Sequence, residues 1–139
     1  MGNLIYDKAL SFGTMTAFAT AAKYFDNILN LGKKDGSTDT YPGKEYTNAD
    51  RLTVDICYSS TTGGSTTVTV EVLGSASDTL PGTWGKVGVN TFTLDELKAG
   101  PCKVAISPNK YKYLRVSVIA SAAADGAAAE AFLNTYAGK

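Results

Sequence analysis

Three stretches of this 139-residue chain exchange apolar and polar residues at every other position. Leu52, Val54, Ile56 and Tyr58 alternate with Thr53, Asp55 and Cys57. Val68, Val70 and Val72 alternate with Thr67, Thr69 and Glu71, and Leu114, Val116 and Val118 with Tyr113, Arg115 and Ser117. A period of two places successive side chains on opposite sides of a pleated strand, so each stretch has one face to bury and one to show to water. No long amphipathic helix separates the stretches, which disfavours parallel βαβ units. The pattern predicts one antiparallel β-sandwich or barrel spanning residues 1–139.

The segments between these strands are read from turn chemistry. Gly63-Gly64, in STTGGST, predicts a hairpin joining residues 52–58 to 67–73. Residues 74–82 read as a loop, 84–89 and 91–94 as two short strands with a bend at Gly88 and Asn90, and 95–100 as a turn or a single helical turn. Residues 102–106 form a strand that Pro108 ends. The Ala-rich tail, SAAADGAAAEAFLNTYAGK, suits a helix by propensity; its context and the Asp125-Gly126 turn signal favour a last strand paired with 113–120. Upstream, residues 14–25 suit helix or strand, and 26–31 read as a short strand. Residues 33–50 form a long polar loop, a kind of segment that is often functional. Residues 1–25 are a candidate N-terminal arm.

Composition removes several functions. Thirteen basic residues balance thirteen acidic ones, whereas a nucleic-acid surface needs a positive excess. The chain has no histidine, so Ser-His-Asp and Cys-His catalysis and histidine metal sites are absent. Asp50, Asp55, Asp95 and Glu96 read as solvated turn carboxylates rather than a catalytic pair. The run Asp35–Asp39 lacks the calcium-loop spacing, and Gly82, Gly85 and Gly88 lack the phosphate-loop spacing. No catalytic residue, cofactor or metal is expected. Cys57 and Cys102 are two free thiols or one bridge. The N-terminus lacks a basic start and a long apolar run, and no stretch approaches the roughly 20 apolar residues of a membrane span. A reducing cytosol is the expected place of synthesis.

What stands out instead is contact chemistry. Trp84 reads as core or as an exposed sugar-stacking ring. Tyr111, Tyr113 and Arg115 suggest an outward patch of rings and a guanidinium. Tyr41 and Tyr46 decorate the long loop, while Tyr6 and Phe12 lie in the candidate arm, where strand addition to a partner's sheet edge would suit them. The candidate protein-interface residues are therefore Tyr6, Phe12, Tyr41, Tyr46, Tyr113 and Arg115.

Three segments carry a resemblance. They are LIYDKALSFGTMTAFATAAKYFDNILNLG, TTVTVEVLGSASDTLPGTW and YKYLRVSVIASAAADGAAAEAFL, which follow one another over most of the chain. In order and texture they resemble the small cement, or decoration, proteins of tailed-bacteriophage heads, of the type found on a Bordetella phage. The loop at 33–50 is longer and richer in tyrosine than that pattern. The resemblance implies a jelly-roll-like β-sandwich bound to the outside of the capsid. It also implies the major capsid protein as partner and a homo-oligomer, dimer or trimer, at symmetry axes, with no role for nucleic acid or membrane. A carbohydrate-binding or head-fibre-base adhesion module is the alternative.

Overall fold

A computed structural model of the chain describes residues 11–30, 52–60, 63–76, 82–107 and 113–135. These form two antiparallel sheets stacked as a sandwich. The strands are β1 (Ser11–Phe18), β2 (Lys23–Tyr24), β3 (Leu29–Asn30), β4 (Leu52–Tyr58), β5 (Thr67–Ser75), β6 (Gly85–Thr93), β7 (Cys102–Ala105), β8 (Tyr113–Ala120) and β9 (Ala124–Thr135). A six-residue helix, α1 (Leu94–Ala99), lies between β6 and β7. The first sheet runs β1-β9-β4-β7. The second runs β2-β8-β5-β6, with β3 also paired to β8.

The alternating residues build the core. Val54 and Ile56 from the first sheet face Val68, Val70, Val72, Leu114, Val116 and Val118 from the second, all at most 2% exposed. Phe12, Phe18 and Phe25 fill the end of the core near β1. Each such side chain contributes about 1.5–3 kcal/mol on burial. The two sheets are stitched together at both sides. At one, Ser107 N donates to Val87 O at 2.8 Å, and Asn90 Nδ2 to Lys103 O at 3.3 Å. Gly88 is required there, because a Cβ would sit 2.4 Å from the Ala105 carbonyl oxygen. At the other, Asn27 N donates to Phe12 O and Ala120 N to Ala19 O, both at 2.8 Å. Gly13, at φ 103°, lies at a register shift in the pairing of β1 with β9.

Several expectations are corrected. β4 and β5 do not pair as a hairpin; they lie in different sheets. A Gly-Gly pair signals a chain reversal, and two strands with one apolar face each can meet across a core as well as side by side. Gly64 N instead donates to Asp95 Oδ1 at 2.9 Å, which ties this turn to α1. The last strand pairs with β1 and β4 rather than β8, whose two edges are already taken by β5 and by β2 and β3. Asp125 lies within β9, opposite Ala17, and does not turn the chain. The two short strands expected at 84–94 are one strand, β6. Phe12 belongs to a sheet strand and is fully buried, so it is core and not an arm contact. The part of the candidate arm from residue 11 on supplies strands of the sandwich, while residues 1–10 and the long loop within 31–51 fall outside the described residues.

Asp55 is corrected as well: it is 0% exposed. Its Oδ1 accepts from Thr53 Oγ1 at 2.9 Å, and its Oδ2 from Lys103 Nζ at 2.8 Å and Asn134 Nδ2 at 2.9 Å. The carboxylate thus ties β4 to both its neighbours, β7 and β9. A buried charge is tolerated only when paired and hydrogen-bonded, and these donors meet that need. Neither cysteine is in a disulfide. Cys102 pairs with inward-facing Ile56, so it faces the core, while Cys57, one residue on, faces outward. Thiols on opposite faces of a sheet cannot reach disulfide geometry. Among the described residues no helix is long and apolar enough to cross a membrane.

Candidate functional site

The outer face of the second sheet carries the chain's most distinctive cluster. β8 turns Leu114, Val116 and Val118 into the core, so Tyr113 and Arg115 project outward. β2 is an edge strand of two residues. Its Tyr24 lies opposite Ser117, which places the ring beside Arg115. Tyr24 is 44% exposed, one of two large hydrophobic side chains so exposed among the described residues. The Arg115 guanidinium carbon lies 3.7 Å from the Tyr24 ring centroid and 5.5 Å from that of Trp84. Trp84 comes just before β6 and is half-buried against this face.

A guanidinium stacked on aromatic faces gains roughly 0.5–2 kcal/mol and loses its freedom to swing. Among the described residues Arg115 has no salt-bridge partner: the ion pairs there are Lys86–Glu71 and Lys103–Asp55. Its Nε is shielded from solvent and, among the described residues, has no acceptor. The same is true of the Trp84 indole Nε1. A buried donor left unmet costs about 1–3 kcal/mol, so two in one cluster are conspicuous. Around them lie Val89, at 50% exposure, half-buried Leu73 and Ile119, and the surface pair Lys86–Glu71 at 3.1 Å. The face is mixed apolar and polar, with aromatic anchors.

The outer face of the first sheet is less suggestive. A groove of about 450 Å³ runs there over Ala128 of β9, between Thr14 and Thr16 of β1 and Cys57 of β4. Ser11 Oγ donates to Glu130 Oε2 at 2.9 Å at its margin. Its lining offers hydroxyls, a thiol and one carboxylate. The Cys102 thiol, on the other side of the sheet, is pushed above the usual cysteine range, first by burial and then by the Glu96 carboxylate. It donates weakly to Glu96 O at 3.5 Å. Among the described residues no three metal-ligating side chains come together.

Two of the sequence candidates, Tyr113 and Arg115, lie on the second sheet's outer face. Phe12 does not, and Tyr6, Tyr41, Tyr46 and Tyr111 lie outside the described residues. The described aromatic partners of Arg115 are Tyr24 and Trp84, neither of which the sequence reading placed beside it. Tyr24 was missed, although the order Tyr24-Phe25 carries a usable signal: in a strand, burial of one ring exposes the other. No family model matches the chain, and no curated protein matches it.

Proposed function

We propose that the chain is a structural virion protein. In this reading it is a capsid cement, or decoration, protein that binds the outer surface of a tailed-phage head and stabilises the lattice of its major capsid protein. The observation that carries the reading is the Tyr24–Arg115–Trp84 stack on an exposed sheet face. Tyr, Trp and Arg are the residue types that dominate protein–protein hot spots. Stacking orders the arginine before a partner arrives, which lowers the entropy lost on binding. A sugar-binding surface would need open ring faces, and here Arg115 covers one face of Tyr24. That favours a protein partner over a glycan.

The chain changes sheets at every connection except β2–β3 and β5–β6. This alternation supports a jelly roll, an architecture found in viral capsid proteins. The sequence resemblance supports the phage assignment. Such a protein works by linkage: by binding the assembled shell and not its free subunits, it pulls the equilibrium toward the shell. An ordinary interface of about 800 Å² per partner is enough when many copies act together. Synthesis in the host cytoplasm, assembly as a dimer or trimer at symmetry axes, and a final place on the virion surface complete the proposal.

Cosedimentation of the purified chain with expanded and unexpanded heads of the encoding phage tests it. Binding to expanded heads is expected, weakened about 30-fold or more by Arg115→Ala if that residue is a hot spot worth about 2 kcal/mol. Absence of binding to either form of head, or unchanged binding by the variant, would refute the reading.

A further inference from the structure

We infer that the Tyr24–Arg115–Trp84 cluster is a carboxylate-recognition site, and that its occupant is an Asp or Glu side chain of the protein partner. This deepens the contact-surface reading above and rests on it. Three observations carry it. First, Arg115 is a fixed positive charge to which no described residue offers a carboxylate, although Glu71 lies on the same face and pairs with Lys86 instead. Second, Arg115 Nε and Trp84 Nε1 are both hydrogen-bond donors, both sheltered from solvent and both without an acceptor among the described residues. Third, the Tyr24 and Trp84 rings hold the guanidinium in place, 3.7 Å and 5.5 Å from its carbon.

An unmet donor of the guanidinium itself and an unmet indole donor in the same cluster ask for an acceptor that is negative. A planar guanidinium held in one orientation matches the two oxygens of a carboxylate. A neutral amide would satisfy one donor and leave the charge unanswered. Tyr24 stacks on one face of the guanidinium and so leaves its in-plane edge to a carboxylate.

Trp84 is the chain's single tryptophan, so its indole N–H gives one unambiguous resonance. The test titrates ¹⁵N-labelled full-length chain with N-acetyl-aspartate N-methylamide, and in parallel with the neutral asparagine analogue at matched ionic strength. A saturable shift of the indole resonance with the aspartate probe alone is expected. No saturable shift, or an equal response to the asparagine probe, overturns the site. Arg115→Lys keeps the charge and loses the fork, and about tenfold weaker binding of the aspartate probe is expected; undiminished binding also overturns the site. If that variant does not fold, the titration of the unaltered chain decides alone. A negative titration beside intact head binding rejects the carboxylate assignment only. A positive titration beside failed head binding rejects the capsid reading only.

Discussion

Removing the Asp55 carboxylate should be among the most damaging single changes outside the apolar core. Asp55→Ala takes the acceptor from Thr53, Lys103 and Asn134 at once. The Lys103 side chain is 49% exposed and can return to water, so its ion pair is worth no more than about 1 kcal/mol. The bonds from Thr53 and Asn134 reach a charged acceptor that is fully buried, and such bonds contribute about 1.5–3 kcal/mol each. Relief of the carboxylate's own desolvation offsets part of that sum. The net loss should be about 3 kcal/mol, or a fall in Tm of about 10 °C at roughly 3 °C per kcal/mol for a chain of this size. Urea melts followed by circular dichroism would measure it. Double-mutant cycles should place more coupling on the Asn134 contact than on the Lys103 contact. A loss below about 1 kcal/mol, or a cycle dominated by Lys103, would refute the view that Asp55 holds three strands through its buried hydrogen bonds.

Other changes test other parts of the fold. Gly88→Ala should cost about 1–3 kcal/mol in urea melts, because its methyl would press on the Ala105 carbonyl at the seam between sheets. Thr93→Ala removes a capping box in which Thr93 and Glu96 satisfy each other's backbone N–H groups. A loss of about 1 kcal/mol is expected, with faster hydrogen exchange confined to α1. In a Cys57→Ser background, Cys102 should alkylate with iodoacetamide more slowly than glutathione at pH 8, because its pKa is raised, and should speed up as pH climbs further. Rates equal to glutathione at pH 8 would count against the burial given for that thiol.

Strand positions were legible where one face is buried and the other is not. β4, β5 and β8 follow from alternation alone, because a one-residue slip would turn every valine to water. Pairing was not legible. The signals at Gly63-Gly64 and Asp125-Gly126 describe local backbone, and nothing local says whether two half-apolar strands will lie side by side or face to face. β9 shows the difficulty most clearly. Its alanines suit a helix by propensity, yet Ala129 and Ala131 are small residues buried on the central strand beside β1 and β4. Asp55 was misread because a carboxylate between apolar residues resembles an exposed position until Lys103 and Asn134 arrive from strands far along the chain. The same holds for the contact cluster. Arg115 was legible as an outward residue of β8, but Tyr24 and Trp84 reach it only through the tertiary fold.

A cryo-electron-microscopy reconstruction of heads that carry the chain bears most directly on the proposed role. The expected density is a β-sandwich on the outer capsid surface, with the sheet containing β2 and β8 turned toward a capsid subunit and an acidic side chain against Arg115. Heads without the sandwich, or a sandwich attached through another face with Tyr24, Trp84 and Arg115 open to solvent, would contradict it.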